Sequence, residues 1–437
     1  MIRTLLLVIT LFSAGLSEAI AQTAASPYSV FGIGIVSNKA LIYNQNMGGL
    51  GISNGQPWIL NNINPAMLPL NTFSTFDAGL YTEKRDISTS DSKQSSTTGG
   101  LSYLTFGFPI KTYKWTMAIG LMPYSNVAYN VVTSQTLANH PETTVNYNYE
   151  GDGGINQAYL SSGWMLVKNF LYAGGRVAYT FGKITDNTTI NLSEIEYQNA
   201  TDTIGSFKSF EPTRYYRNSS YSDFILEGGL YARKKIGKNI LMNLGFVYEF
   251  GTDLNTRRTE TIEVDDEQDP DRPISTILDN AKGQTTLPAK FGYGLSFTKD
   301  FHWTIGVDYY TRDWTKFTSD FGAEQELAKS RELIIGGEFT PDFSSVKSYF
   351  KRANYQMGFS YNQTPIMINN KNIDDFGINF GVSLPVGKAS LFNLGFKVGQ
   401  QGTTSDGLIK ENYLKLNLGM TFNDRSFAWY RSLRKFD

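Results

Sequence analysis

The fold is decided by a stretch of strict alternation late in the chain, FGINFGVSL at residues 376–384. Phe376, Ile378 and Phe380 share one face of an extended segment, and Gly377 and Asn379 lie on the other. Such alternation predicts a β-strand whose two faces meet different environments. The strand is also long: soluble strands usually have about 5–6 residues, whereas a tilted membrane strand needs about 9–11.

The same period of two recurs along the chain and predicts an all-β fold, an antiparallel transmembrane β-barrel of about fourteen strands. The predicted strands are 73–83, 99–109, 114–123, 154–166, 170–181, 221–233, 240–251, 286–298, 302–312, 330–340, 353–363, 375–385, 390–400 and 412–423. A soluble β-sandwich is the alternative fold, but a sandwich would not explain why short and long connections alternate along the chain.

Most connections after even-numbered strands are short, whereas those after odd-numbered strands are mostly long and polar, as at 182–220 and 252–285. One even-numbered connection, 341–352, is longer, and we expect a short helix over 343–350. Short turns at one end and long loops at the other are typical of an outer-membrane β-barrel, whose even strand count places both chain ends in the periplasm.

Composition agrees with this class. Lys and Arg number 39 against 40 Asp and Glu, so nothing indicates binding to nucleic acid. The chain has no Cys, which excludes disulfides, Cys-based metal sites and thiol nucleophiles. Aromatic residues make up 14% of the chain. Four Trp fall near predicted strand ends, where a membrane barrel carries its aromatic girdles: Trp115, Trp164, Trp303 and Trp314.

The first residues predict export. Arg3 precedes an apolar run from Leu5 to Phe12, and Ala19 and Ala21 occupy the two positions that a signal peptidase reads. A transmembrane anchor is the alternative, but the run is far shorter than the roughly 20 residues that a span needs. We therefore expect a signal peptide at 1–21, a plug at 22–72, the barrel at 73–423 and a periplasmic tail at 424–437, in a protein of the Gram-negative outer membrane.

The strand pattern places a set of charged residues inside the barrel. Their signs are mixed, and two interpretations stand: the charges pair across the lumen and order its filling, or they line a polar permeation path. The residues are Arg176, Glu227, Glu249, Lys290, Asp308, Arg312, Glu332, Glu338, Lys397 and Lys415.

The predicted plug has no alternation but two compact motifs, MGGLG at 47–51 and NPA at 64–66. The glycines allow tight backbone turns, and no Lys-Ser/Thr pair follows them, which argues against a nucleotide site. Asn-Pro favours a turn that begins a short helix. We expect six plug residues to seal the lumen and gate it: Gly48, Gly49, Gly51, Asn64, Pro65 and Ala66.

These motifs, placed just before the first of fourteen strands, resemble the N-terminal hatch of the FadL-like outer-membrane transporters. SPYS at 26–29, FGIG at 31–34, GQQGT at 399–403 and LIKENY at 408–413 resemble a branch common in Bacteroidota. The resemblance implies a channel that takes up small hydrophobic molecules and releases them sideways into the membrane, where an apolar solute avoids water.

A lateral opening is predicted in the third strand. Gly120 and Pro123 lie there, and Pro interrupts the ladder of hydrogen bonds between strands. The alternative is that Pro123 only ends the strand.

A different function is open as well. The type IX secretion shuttle protein is also a FadL-like barrel, so the fold does not by itself imply transport. The second hypothesis is a non-transporting subunit whose long outer loops bind partner proteins. An apolar pocket open to the membrane would favour transport, whereas a filled lumen would favour docking. The expected contacts are outer-membrane lipid together with either a small hydrophobic ligand or such partners.

Catalysis finds little support. His140 and His302 are the only histidines, and the predicted topology puts them at opposite ends of the barrel. The acidic run at 263–271 lacks the spacing of a calcium loop, although calcium binding there stays open. We predict no enzyme, no catalytic residue, no metal and no cofactor.

Overall fold

The computed structural model describes residues 26–137, 140–192, 211–237, 239–264, 275–322, 326–387 and 390–424. The signal peptide at 1–21, nearly all of the tail at 424–437 and most of the acidic run at 263–271 lie outside these ranges. Among the described residues, no helix is long and apolar enough to cross a membrane.

The strands form one closed antiparallel sheet, which is closed by the pairing of β18 with β2. Their bounds are β1 (Ile35–Val36), β2 (Ser74–Ser88), β3 (Lys93–Lys111), β4 (Trp115–Leu137), β5 (His140–Val167), β6 (Leu171–Leu192), β7 (Thr213–Ile236), β8 (Ile240–Glu249), β9 (Thr252–Val264), β10 (Ser275–Leu287), β11 (Lys290–Lys299), β12 (Trp303–Asp313), β13 (Thr318–Ser319), β14 (Lys329–Phe339), β15 (Asn354–Ile368), β16 (Lys371–Val386), β17 (Ser390–Gly402) and β18 (Lys410–Asp424).

The prediction of fourteen barrel strands is confirmed. β8 and β9 are two parts of one strand interrupted at 250–251, and β10 and β11 are two parts of another interrupted at 288–289. β7 pairs with both β8 and β9, which shows that the interrupted strand keeps its place in the wall. β1 belongs to the plug, and β13 is a two-residue strand beside β10.

Several connections differ from the prediction. The regions 182–220 and 252–285 were expected to be loops, but most of their described residues continue the strands, and β5 reaches 28 residues. Above the membrane neither face of a strand meets lipid, so the contrast between the faces that reveals a strand is weak there. The helix expected over 343–350 is also absent: that segment forms turns and bends.

The outer wall carries an apolar belt. Leu160, Leu244, Ile305 and Met357 are each 46–57% exposed, although they are large and apolar. Such a belt on a closed barrel is the surface that lipid covers. Trp115 and Trp164 are neighbours across β4 and β5 near the short-turn end, in the position of a girdle.

Trp314 is an exception to the girdle prediction. It is only 6% exposed and lies in a short 3-10 helix, Trp314–Lys316, where it packs on Phe317 and under the Arg312 guanidinium. It is a core residue rather than a membrane anchor.

The segment before β2 fills the inside of the barrel. Ser26 lies near the long-loop end, where its side chain donates to Glu411, and the chain then descends to Asn71 next to the start of β2. The segment contains a 3-10 helix (Pro27–Val30), the helix α1 (Ile42–Gln45) and a second 3-10 helix (Pro65–Leu70). We call residues 26–72 the plug.

A ring of glycines on the inner wall makes room for the plug. At Gly174 an added Cβ would overlap the backbone of Pro65 and Ala66, and at Gly358 it would overlap the backbone of Met47. The same close approach to plug atoms occurs at Gly107, Gly163, Gly229, Gly245, Gly294, Gly336, Gly381 and Gly395. Plug and wall are therefore complementary surfaces packed like the interior of a soluble protein.

Candidate functional site

A buried charge cluster lies where the plug meets the wall. The Lys39 ammonium of the plug pairs with the carboxylates of Glu227 and Glu249, and Glu249 also pairs with Arg312. Arg176 approaches Glu227 at 3.9 Å. All four wall residues are under 9% exposed, so the cluster is shielded from water and each charge depends on its partners.

Lys39 is the residue that the sequence analysis missed. It is the only charged residue between positions 22 and 72. A single cation in an otherwise uncharged segment, which the barrel would enclose together with inward carboxylates, was a usable signal.

Other predicted lumen charges hold the plug in place. The Asp308 carboxylate accepts hydrogen bonds from the backbone N–H groups of Gly51 and Ile52, at 2.7 and 2.8 Å. The Glu338 carboxylate accepts from Tyr43 and, at 2.6 Å, from Gln56. Buried carboxylates used in this way bind backbone and side-chain donors that would otherwise have no partner.

The remaining predicted lumen charges lie elsewhere inside the barrel. Lys290 stacks over the Tyr310 ring at 4.2 Å and Lys415 over the Tyr81 ring at 4.3 Å, while the Lys397 ammonium is 4.0 Å from an Asp375 oxygen. Cation–π contacts of this kind stabilise a buried ammonium without a carboxylate. Glu332 lines a cavity together with Lys397 and Lys415.

The predicted plug motifs occupy tight positions. Gly48 and Gly49 have φ values of 79° and 100°, which favour glycine. An added Cβ at Gly51 would overlap Ile63. These glycines therefore shape the turn that seats against β14 and β15.

The Asn-Pro-Ala motif begins the second 3-10 helix of the plug. The Asn64 side chain accepts from the Ala66 N–H at 3.0 Å and donates to the Ile52 and Leu230 carbonyls. Pro65 and Ala66 are fully buried against Gly174. The motif connects plug and wall at the short-turn end.

The wall is split between β3 and β4. Their pairing runs from Lys111 and Trp115 up to Leu104 and Leu121, and no described residue continues it above that point. β4 itself runs on to Leu137, so the alternative that Pro123 only ends the strand is wrong. We call the gap the β3–β4 seam; residues 93–103 and 122–137 border it.

The plug covers the lower part of the seam. β1 pairs antiparallel with β4, with Ile35 opposite Asn126. The Ser37 N–H donates to the Tyr124 carbonyl and the Ser26 N–H to the Ala128 carbonyl, both at 2.8 Å. The plug thus takes the place on β4 that β3 leaves empty.

A cavity of about 660 Å³ opens at the seam. Lumen-facing Glu83 and Lys397 line one side, and the outward-facing Asn126 and Asn156 line the other. Pro123 borders the cavity, whereas Gly120 packs inside the wall against Tyr159. Because charged and amide side chains dominate the lining, the cavity is a polar space and not an apolar pocket.

Beyond the membrane, the wall extends further on one side of the barrel than on the other. β4, β5, β6 and β7 have 22–28 residues, whereas β12 and β14 on the opposite side have 11. With short turns facing the periplasm, these extensions rise on the extracellular side. The upper parts of five strands form what we call the crown: β4 (130–137), β5 (140–150), β6 (186–192), β7 (213–217) and β9 (260–264).

The inner face of the crown is rich in tyrosine and aliphatic side chains. Tyr149 lies between Val131 of β4 and Thr188 of β6, and its ring stacks on Tyr147 at 6.2 Å. Tyr215 and Ile262 continue the same face on β7 and β9. Tyr149 is 39% exposed, which is unusual for an aromatic ring facing inward.

The two histidines lie at opposite ends of the barrel. His140 begins β5 at the extracellular end, and His302 lies in the turn before β12 at the other end. Within the described ranges, no group of three or more potential metal ligands comes together.

Three solved structures are similar in fold to this chain. The toluene transporter TbuX of Ralstonia pickettii matches with a TM-score of 0.56 at 14% identity, over 89% of this chain and 99% of that one. The toluene transporter TodX of Pseudomonas putida gives 0.55 at 16%, over 89% and 98%. A FadL homologue of Pseudomonas aeruginosa gives 0.55 at 9%, over 89% and 99%.

The fold is therefore that of a plugged, FadL-like outer-membrane β-barrel, which confirms the resemblance at the level of architecture. The BamG family model matches residues 1–437, and the chain belongs to the BamG family. No curated protein matches the sequence.

Proposed function

We propose that this protein is an outer-membrane barrel subunit that does not transport and that docks partner proteins at its extracellular crown. The chain would be exported with cleavage after residue 21, as the first residues predict. The motifs at its two ends support a place in the Bacteroidota-type branch of FadL-like barrels.

The filled lumen supports a role other than transport. From Met47 to Leu70 the plug is almost wholly buried against the wall, and the charge cluster around Lys39 joins the two. The cavity at the β3–β4 seam is polar, so an apolar solute would lose rather than gain by entering it. A barrel whose interior is a packed core offers its surfaces, not its lumen, for function.

The crown is the observation that carries the proposal. It rises on one side of the barrel and presents the stacked rings of Tyr147 and Tyr149 on its inner face, where Tyr149 is 39% exposed. Exposed aromatic rings on a rigid sheet are typical anchors of a protein interface. A barrel that only conducts solute has no evident need of such a wall.

Purification of the tagged protein from its own outer membrane tests this proposal. We expect a partner protein at a fixed ratio, and we expect its loss when residues 131–149 are replaced by a two-residue turn. Shortening the periplasmic turn 341–352 is the matched control and should leave the complex intact. A chain that purifies alone, or a complex indifferent to the crown, would contradict docking there.

The second candidate is the passage of small hydrophobic molecules with lateral release. The β3–β4 seam favours it, because a cavity connects lumen-facing and outward-facing residues at that point of the wall. The neighbouring structures named toluene transporters share this architecture, and Pro123 and the Asn64-Pro65-Ala66 motif are the proposed opening and gate.

Toluene uptake by cells tests the second candidate. Replacing Ala66 with Leu should displace the plug next to Gly174, so uptake should change at matched levels of folded barrel if the motif gates a path. Uptake equal to that of cells lacking the protein, both before and after the substitution, would dismiss transport and leave docking in place.

A further inference from the structure

The upper edge of β4 is an unprotected strand edge. Residues 130–136, NVVTSQT, pair with β5 on one side and have no pairing partner on the other among the described residues. Natural proteins usually protect such edges with Lys, Pro or inward-pointing charges, because exposed backbone groups recruit further strands. This segment contains no charged residue and no proline.

The same edge already accepts a strand lower down. β1 of the plug adds to β4 in antiparallel orientation at Ser125 and Asn126. Backbone contacts to the plug continue up to Ala128. The edge above Ala128 therefore continues a line of pairing that is known to form strand contacts.

The side chains beside the free edge indicate what would bind there. Val132 is 64% exposed on the outer side of β4, and Val131 lies beside Tyr149 on the inner face of the crown. An added strand would place alternate side chains against that inner face, beside Val131 and Tyr149, and the others toward water. The matching segment is uncharged and carries β-branched or aromatic residues at every second position.

We infer that residues 130–136 of β4 accept an extended segment of a partner polypeptide as an additional antiparallel strand. This inference rests on the proposed docking function and names the site and the kind of contact. Recognition by strand addition takes its affinity from backbone hydrogen bonds and its specificity from the alternate side chains.

Photocrosslinking in the intact outer membrane tests the geometry. A benzophenone amino acid is placed at Val132 or Ser134 on the edge, and at Asn148 of the neighbouring central strand as the control. We expect adducts with a single partner chain from both edge positions and few from Asn148. The two partner residues should lie two positions apart and run in the opposite direction to β4, as an antiparallel strand requires.

A blocked edge provides the second measurement. V132K introduces the charge that protects natural edges, whereas N148K introduces the same charge directly opposite, on a strand that is paired on both sides. With the crosslinker at Ser134, we expect V132K to lower the yield about tenfold, equivalent to about 1.4 kcal/mol, and N148K to leave it nearly unchanged. Heat-modifiable migration on a gel confirms that both barrels are folded.

Three outcomes would overturn the inference. They are adducts only with a second copy of this chain, adducts without a fixed register, and equal effects of V132K and N148K. If the partner still purifies with the barrel in such a case, docking stands and the edge is not its site. If no partner purifies at all, the proposed function itself fails.

Discussion

Replacing Glu249 with Ala is expected to lower the stability of the plugged barrel by about 3–5 kcal/mol, the usual cost of leaving buried charges without their partner. Glu249 pairs with both Lys39 and Arg312, so its loss leaves three cations of the cluster, Lys39, Arg312 and Arg176, with Glu227 as the one remaining carboxylate among the cluster residues. The plug should detach while the wall, held by backbone hydrogen bonds, persists. Proteolysis of the plug and the emission of Trp58, which stacks on Phe301 and Phe343, would report it.

A compensated variant sharpens this prediction. The double variant K39M/E249Q removes one charge of each sign. It should therefore destabilise the plugged barrel less than E249A alone does. If E249A were as stable as the unchanged protein, water would have to enter the cluster, and the charges would not be what holds the plug.

Replacing Gly358 with Leu should prevent the plug from seating. A Cβ there overlaps the backbone of Met47 and Gly48, which cannot move aside as a flexible side chain would. Overpacking of this kind costs about 1–3 kcal/mol, occasionally more. Since Leu suits a β-strand better than Gly does, the wall should remain folded and the lumen should become conductive in a planar bilayer.

Gly228 provides the matched control for this variant. It has no atom within 4 Å of an added Cβ, so Gly228→Leu should leave the plug seated and the barrel closed to ions. Equal conductance of the two variants would show that the glycine ring is not what admits the plug.

Alternation predicted the barrel because lipid on one face and a polar core on the other give every membrane-spanning strand the same two-residue period. It identified all fourteen strands, and the structure places the inward charges where the period puts them, as with Arg176 and Asp308. The crown escaped notice because Tyr147, Asn148 and Tyr149 carry no lipid-facing contrast. The expected opening in the third strand lies near the seam, because Pro123 borders it, but the loss of pairing with β3 did not follow from the sequence, since the pairing of β3 with β4 is a contact between strands, which no single-strand pattern records.

The path of the plug bears on how the molecule folds. Ser26, near the start of the plug, contacts Glu411 of the last strand, a separation of 385 residues. The wall closes only when β18 pairs with β2, so the surface that receives the plug does not exist until the last strand has been made. Contacts so distant in sequence form slowly, because the loop must close before they stabilise anything. The segment that becomes the innermost layer therefore waits longest for its partners, and this makes assembly, rather than the finished barrel, the stage at which the chain is most exposed to aggregation.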